Sequence, residues 1–229
     1  MSAVSASGAA SEPDVSSGVQ PDLVELVQRF GDRGLSLATG ESLTAGSLAA
    51  RIAEVPGASV VLRGGVIAYC NAVKHSLLGV DQTLLESRGA VDPAVAASMA
   101  RGAAARTEST LGISTTGVAG PEPHEGQDVG TVYVGLACRA ADAARLGLTL
   151  PPECRPAADR NSTSAVAGFT NSAVAGFAES DSAGQWISGA QLLILDGERS
   201  AIRDATILAA LALLERLLRA EPPDLTGSR

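Results

Sequence analysis

Residues 37–59 read LATGESLTAGSLAARIAEVPGAS, a short apolar run followed by a tight polar loop and then by helical spacing. Residues 35–39 predict a strand, and the helix that follows is indicated by Ala45, Leu48, Ala49 and Ile52. Pro56 and Gly57 end that helix. A strand, a loop and a helix in this order are typical of a sheet covered by helices. Ser42 lies at the junction, which raises the question of what its hydroxyl does there.

The rest of the chain continues this alternation. Further strands are predicted at residues 60–69, 111–115, 131–137 and 191–195, and the paired Gly64 and Gly65 indicate a bent or bulged strand. Helices are predicted at 21–33 with Pro21 in the first turn, 72–78, 81–89, 92–106 and 200–219. We therefore predict a three-layer α/β/α sandwich around a mostly parallel, mixed sheet.

The chain has room for one domain, which we place at residues 21–220. Residues 1–20 and 221–229 have the composition of disordered tails. Residues 139–189 are rich in Ser, Ala, Gly and Asn, and SAVAGF occurs there at 164–169 and again at 172–177. Two short copies cannot build a solenoid, so we interpret this segment as a low-complexity loop insertion.

Composition excludes several function classes. A net charge of −8 and a pI near 4.8 disfavour binding to nucleic acid or to an anionic membrane. The start of the chain has no secretory signal, and the apolar run at 207–214 is far shorter than the roughly 20 residues that span a bilayer, so we expect a cytoplasmic protein. Three dispersed cysteines and two histidines form no metal-binding motif, so we expect reduced thiols, no metal and no cofactor.

Three segments are predicted to meet at the carboxyl edge of the sheet, namely residues 40–46, 69–74 and 115–120. Ligands collect at this edge because loops there meet helix N-termini. Ser42 is either a nucleophile, with the amides of Leu43 and Thr44 as oxyanion donors, or a helix cap, and this stretch alone favours the cap.

A serine nucleophile needs a base, and with histidine scarce the nearest candidate is Lys74. Tyr69 could converge with Ser42 and Lys74 and relay or orient the proton. The alternative is a tyrosine at the sheet edge and a solvated lysine, which the residues alone favour. Lysine is rare in this chain, however, and arginine supplies most of the positive charge.

Residues 115–121, TTGVAGP, suit close approach of backbone amides to a phosphate, although a glycine-rich turn explains them equally well. They form no Walker loop. Other polar residues nearby receive simpler interpretations. Cys70, beside Tyr69, is a possible nucleophile, but no histidine is placed to ionise it, so a buried inert thiol is expected. His124 and Glu125 are expected to be solvated, and His75 to be a surface or partly packed residue. Arg199 and Arg203 either form a solvated face or reach a phosphate across a subunit boundary.

Four blocks in order resemble the CinA C-terminal domain family, whose characterised members are nicotinamide-nucleotide amidohydrolases (nicotinamide mononucleotide deamidases). The blocks are GESLTAGSLAARIAEVPGAS, GGVIAYCNAVKHSLLGV, GVAGPEPHEGQDVGTVYVGLA and LDGERSAIR. The resemblance covers residues 23–218 apart from the insertion. It implies a three-layer domain that hydrolyses the carboxamide of nicotinamide mononucleotide to nicotinate mononucleotide and ammonia in pyridine-nucleotide recycling, without a metal.

The resemblance places the family's catalytic serine, tyrosine and lysine on Ser42, Tyr69 and Lys74. It also implies a small nucleotide as ligand and a homodimer or higher homo-oligomer, for which the long final helix would suit the interface. Substrate-binding roles are expected for Glu41, Leu43, Thr44, Gly46, Thr116, Gly117, Ala119 and Gly120.

The chain departs from the family pattern at two places. The usual ESCTGG is ESLTAG here, and the usual glycine- and lysine-containing loop is the acidic PEPHEGQD at 121–128. The separate N-terminal nucleotide-processing domain of longer relatives is not seen, so we expect a stand-alone form. Two alternative functions remain: a non-catalytic nucleotide-binding or assembly domain, and a Ser-Lys hydrolase of another small amide.

Overall fold

One mixed sheet organises the protein, and the computed structural model describes it over residues 22–154, 176–180 and 185–219. Its six strands are β1 (Leu37–Glu41), β2 (Leu62–Ile67), β3 (Leu111–Gly117), β4 (Thr131–Arg139), β5 (Gly176–Ser180) and β6 (Trp186–Ile194). Their order is β2-β1-β3-β4-β6-β5. β1 is parallel to β2 and β3, and the other pairings are antiparallel. The predicted mixed sheet is confirmed. The described part is not mostly parallel as expected, because β4 returns antiparallel to β3 and the next two pairings are antiparallel as well, so the parallel part is confined to β2, β1 and β3.

Helices cover both faces of this sheet. They are α1 (Leu23–Asp32), α2 (Ser47–Ala53), α3 (Asn71–Leu78), α4 (Gln82–Arg88), α5 (Pro93–Thr107), α6 (Ala140–Leu146) and α7 (Arg199–Arg219). Neighbouring strand residues point to opposite faces, and Leu37 packs with α1, α2, α6 and α7 whereas Ala38 packs with α3, α4 and α5. The predicted three-layer sandwich is therefore confirmed.

Helix α5 lies unusually close to the sheet because glycines face it. A Cβ atom at Gly112 would lie 1.9 Å from the carbonyl oxygen of Ala100, and one at Gly135 would lie 2.3 Å from that of Ala96. These separations exclude any side chain at either position. The close packing fixes β3, whose carboxyl end carries Thr115 and Thr116, against a rigid helix.

The bulge predicted in β2 is present. The pairing passes from Leu37 with Leu62 to Ala38 with Gly64, which leaves Arg63 as the extra residue. The bulge shifts the pairing of β2 with β1 by one residue. Beyond the end of β2 at Ile67, the chain continues to Tyr69 and α3.

Helix α1 begins differently from the prediction. Pro21 precedes the described residues, and Asp22 caps the helix by accepting hydrogen bonds from the amides of Val24 and Glu25. The caps predicted at Asp81 and at Asp92 with Pro93 are confirmed for α4 and α5.

The segment 139–189, predicted to be an insertion loop, contains regular structure. It includes α6, β5 and the first part of β6, so the loop prediction is wrong for these residues. Antiparallel pairing of β5 with β6 extends the sheet through main-chain hydrogen bonds, which small side chains do not prevent. Most of the two SAVAGF copies, and the predicted tails at 1–20 and 221–229, lie outside the described residues.

The final helix α7 packs within its own chain. Its buried residues include Ile202, Leu211 and Leu214, which join the core on the α1 and α2 side of the sheet. The apolar character of α7 is therefore explained without a second subunit, and homo-oligomerisation stays a prediction. Within the described ranges, no helix is both long and apolar enough to cross a membrane.

Candidate active site

Ser42 lies in a turn between β1 and α2 and does not cap the helix. Its amide donates to the carbonyl of Thr115 at 2.9 Å, and its own carbonyl accepts from the amide of Ala45 at 3.0 Å. Helix α2 begins only at Ser47, and its N-cap residue, Gly46, makes no side-chain capping bond. The capping interpretation of Ser42 is therefore wrong, and its hydroxyl is free for another role.

The preceding acid, Glu41, caps α2 instead. Its carboxylate accepts from the amides of Gly46, Leu48 and Ala49 at 2.8, 3.0 and 2.9 Å and from the hydroxyl of Thr44 at 2.8 Å. Glu41 is only 1% exposed. These four hydrogen bonds offset the free-energy cost of burying the carboxylate charge. They also fix the conformation of the turn that contains Ser42.

Lys74 projects from α3 to the Ser42 hydroxyl. Its amine lies 3.2 Å from Ser42 Oγ and 3.0 Å from the carbonyl oxygen of Ala68, and the residue is 1% exposed. Burial lowers the pKa of Lys74, and the charges of Cys70 and Glu125 oppose this shift. The solvated-lysine interpretation is wrong, and this serine and lysine have the contact that general-base catalysis requires.

Tyr69 lies in the same region but has a different partner. The residue is 56% exposed, and its hydroxyl accepts from the Arg199 guanidinium at 2.5 Å. The same guanidinium donates to the carbonyl of Gly120 at 2.8 Å. The structure thus brings Tyr69 near the Ser42–Lys74 pair, with its phenol held by an arginine from α7.

These residues line one cavity of about 690 Å³ at the carboxyl edge of the parallel strands. Such a volume suits a small ligand. Among the predicted site residues, the cavity is lined by Ser42, Leu43, Tyr69, Lys74, Thr116, Gly117, Ala119 and Gly120. Glu41, Thr44 and Gly46 are not among its lining residues, and their contact with substrate stays a prediction. All three belong to the hydrogen-bond network that shapes the turn.

The amide of Leu43 is available at the cavity wall. It has no hydrogen-bond acceptor among the described residues, and Leu43 itself lines the cavity. A free N–H next to a hydroxyl nucleophile can receive a developing oxyanion.

The hydroxyl of Thr116 is engaged, since it donates to the carbonyl of Ala90 at 2.8 Å. In the described parts of the chain, no three His, Cys, Asp or Glu side chains are placed to hold a metal ion.

Comparison with known proteins gives the family of this chain. The profile of the CinA C-terminal domain family matches residues 22–164, more than half of the chain. This chain belongs to the CinA C-terminal domain family. The sequence resemblance is confirmed over β1, the Ser42 turn, α3 and the β3–β4 loop, all of which lie within the matched residues.

Relatives of this CinA C-terminal domain are longer proteins with general names. It is 51% identical over 105 residues to a CinA-like protein of Frankia casuarinae, covering 46% of this chain and 24% of the relative. It is 34% identical over 194 residues to a putative competence-damage inducible protein of Levilactobacillus brevis, covering 85% of this chain and 36% of the relative. The match thus spans about a quarter to a third of these relatives' lengths. Their names specify no reaction.

Solved structures share the fold of this CinA C-terminal domain. The competence/damage inducible protein CihA of Agrobacterium tumefaciens superposes with a TM-score of 0.60 and 27% identity, covering 86% of this chain and 95% of that chain. A competence-damaged protein (CinA) superfamily protein of Escherichia coli gives a TM-score of 0.62 with 23% identity, covering 91% and 94%. The second likeness concerns the fold alone.

The family departure at Ala45 has a structural cost in this CinA domain. Ala45 has a φ of 52°, in the left-handed region where glycine is unstrained. Its side chain is exposed, so the cost arises in the backbone and not from crowding in the cavity. Arg203 stabilises the turn from the other side by donating to the carbonyls of Leu43 and Thr44 at 2.9 and 3.0 Å. Its assignment to a solvated face is therefore wrong.

Several cavity residues were expected elsewhere, either away from the site or, for Arg199, on a solvated face or at the site of another subunit. Cys70 is exposed and lines the cavity, so the expectation of a buried thiol is wrong. Glu125, expected on the surface, lines the cavity while its side chain remains 36% exposed. Arg199 reaches the cavity within its own chain. The LDGERSAIR block pointed to Arg199, but only the fold shows that the start of α7 lies beside Tyr69.

Replacing the capping acid tests the role assigned to it. We expect Glu41→Gln to lower the free energy of unfolding by about 2–4 kcal/mol, because an amide group would then face backbone donors inside the protein. Urea denaturation of Glu41→Gln and of Glu54→Gln measures this, since Glu54 is an exposed acid at the end of the same helix. Equal stability of the two variants would contradict the capping role.

Proposed function

We propose that this CinA C-terminal domain is a metal-independent amidohydrolase that converts nicotinamide mononucleotide and water to nicotinate mononucleotide and ammonia. The proposal rests on one observation above all, the buried Lys74 amine 3.2 Å from the Ser42 hydroxyl. A lysine kept from solvent loses its proton more easily and can serve as a base. The choice of this carboxamide comes from the family resemblance and is compatible with the cavity.

In the proposed reaction, neutral Lys74 takes the Ser42 proton while Oγ bonds to the carboxamide carbon. The Leu43 amide donates a hydrogen bond to the oxyanion. The Lys74 ammonium then returns its proton to the leaving nitrogen, the C–N bond breaks, and ammonia departs from a serine ester. Lys74 next accepts a proton from water while the water oxygen bonds to the ester carbon. The Lys74 ammonium then gives this proton to Ser42 Oγ as the ester C–O bond breaks, which regenerates the hydroxyl and the neutral amine, and the released carboxylic acid loses its own proton to solvent.

The nucleotide phosphate is assigned to the Arg199 side of the cavity. Arg199 presents its guanidinium there together with the Tyr69 hydroxyl, and the backbone of residues 116–120 forms the adjoining wall. Arginine binds phosphate well because its planar group offers paired donors. We assign Tyr69 to substrate contact beside Arg199, since its hydroxyl bonds to that side chain and not to Ser42 or Lys74 in the described contacts.

A non-catalytic nucleotide-binding role is the second candidate. It is favoured by Glu122 and Glu125, which place negative charge in the cavity wall where the family usually has glycines and a lysine. Negative charge weakens phosphate binding and could disfavour productive placement. Under this alternative the protein would bind mononucleotides without releasing ammonia.

The deciding experiment follows ammonia and nicotinate mononucleotide after purified protein is mixed with nicotinamide mononucleotide. We expect both products in equal amounts and no dependence on added metal or on chelator. Binding by calorimetry without product would overturn the enzymatic proposal and support the second candidate. Release of ammonia only from other amides in a substrate panel would instead identify a Ser-Lys hydrolase with a different substrate.

A further inference from the structure

The acidic loop between β3 and β4 holds Glu125 in a defined conformation. His124 and Gln127 pair through two backbone hydrogen bonds of 3.0 and 2.9 Å, so Glu125 and Gly126 form the tip of a tight hairpin. Both tip residues have positive φ, 48° and 76°. Glycine adopts this conformation freely, whereas glutamate pays for it, so contacts of the Glu125 side chain must help to hold the turn.

The Glu125 carboxylate is anchored at the cavity wall. Its Oε2 atom accepts from the amide of Ala90 at 2.6 Å. A Cβ atom at Gly89 would lie 2.5 Å from the same oxygen, so the carboxylate rests directly on the end of α4. The other oxygen, Oε1, has only a distant contact, 3.8 Å from Nε2 of the exposed His124. Glu125 therefore presents a fixed negative charge with one oxygen available for a ligand.

The cavity thus carries separate cationic and anionic groups. Within the described residues, no ion pair joins Glu125 to Arg199 or to Lys74. Arg199 is bound to Gly120 and Tyr69 instead, and Lys74 to Ser42 and Ala68. A ligand that carries both an anion and a cation can satisfy the two charged sides together, whereas a purely anionic ligand meets repulsion at Glu125.

We propose that Glu125 makes this site selective for nucleotides with a cationic ring. The inference rests on the proposed function and names a property of its substrate: oxidised nicotinamide mononucleotide has a positively charged pyridinium ring as well as a phosphate. In the reduced nucleotide the ring is neutral while the phosphate and ribose are unchanged. The negative charge of Glu125 favours binding of the oxidised form, whereas the phosphate makes the same contacts with the protein in both forms.

The test compares the dissociation constants of oxidised and reduced nicotinamide mononucleotide by calorimetry in a Ser42→Ala background, where turnover does not interfere. We expect the parent to prefer the oxidised form and Glu125→Gln to reduce that preference about fivefold, as for a partly exposed charge pair. Glutamine can still accept the Ala90 hydrogen bond, so the hairpin is retained. Binding of the reduced form should not weaken in this variant, because its only charge is the phosphate and Glu125 repels it.

Two further variants make the result specific. Asp128→Asn removes one charge from the same loop at a residue that does not line the cavity, and it should leave the preference unchanged. Arg199→Gln should weaken both nucleotides by the same factor because they share the phosphate. An unchanged preference in Glu125→Gln, an equal effect of Asp128→Asn, or no binding of either nucleotide to the parent would overturn the inference.

The two proposals fail in different ways. If wild-type protein releases no ammonia but Glu125→Gln still loses its preference for the oxidised form, the amidohydrolase proposal fails and the role of Glu125 stands. If ammonia is released and the preference does not depend on Glu125, the enzymatic proposal stands and the role of Glu125 fails.

Discussion

Ser42→Ala is expected to lower the rate of ammonia release from nicotinamide mononucleotide by at least about 10³-fold. The hydroxyl is the group that would form the ester, and alanine offers no replacement. The fold should be retained, because the Ser42 main chain makes the bonds to Thr115 and Ala45 that hold the turn. Single-turnover product assays together with circular dichroism would measure the two effects separately.

Cys70 provides the discriminating comparison for this experiment. Its exposed thiol lines the same cavity and is the other candidate nucleophile nearby. We expect Cys70→Ala to continue to release ammonia while Ser42→Ala does not. The opposite pattern, or activity in Ser42→Ala close to that of the wild type, would show that the nucleophile has been assigned to the wrong residue.

Lys74→Met is expected to cause a loss of similar size, because methionine fills the space of the lysine stem but accepts no proton. Lys74→Arg should not restore activity, since a guanidinium stays protonated at any usable pH. In the wild type, activity should rise with pH as Lys74 becomes neutral. Burial lowers its pKa, so this rise should come below the range of an ordinary lysine. A pH–rate profile without such a limb would contradict the role.

The same lysine links stability to pH. Its pKa is lowered in the folded protein, so between the folded value and the ordinary value of about 10.4 the unfolded chain binds more protons than the folded chain. The free energy of unfolding should therefore gain a contribution from Lys74 as pH rises through that window. Lys74→Met should lack this contribution, which urea denaturation at several pH values would measure. Identical pH dependence in both proteins would mean that Lys74 is not desolvated.

The sequence predicted those parts of the candidate site whose positions follow from the order of strands and loops along the chain. Ser42 and Tyr69 follow β1 and β2, and residues 115–120 run from the end of β3 into the loop after it. Parallel strands bring such positions to one edge of the sheet. Position alone could not decide between nucleophile and cap, because both roles need a hydroxyl at a junction. The structure excludes the cap, because the Glu41 carboxylate occupies the helix N-terminus, and the nucleophile role of Ser42 stays a prediction.

Other parts of the site depend on contacts between distant segments. Arg199 donates a hydrogen bond to Tyr69, which lies 130 residues earlier in the sequence, and no local sequence pattern predicts a contact over that separation. Cys70 was expected to be buried because free cysteines usually are, yet its position before α3 exposes it. Strand β5 was missed because its pairing with β6 depends on main-chain groups, so a composition of small residues gave no alternating pattern.

Helix α7 supplies both the guanidinium that braces the Ser42 turn and the one that faces the cavity. Every strand of the sheet precedes α7 in the chain. On the ribosome, the sheet segments therefore emerge before the helix that completes the cavity wall. A nascent chain that has folded its sheet but not yet docked α7 would lack both guanidinium groups, and the candidate site would be complete only when synthesis has passed α7.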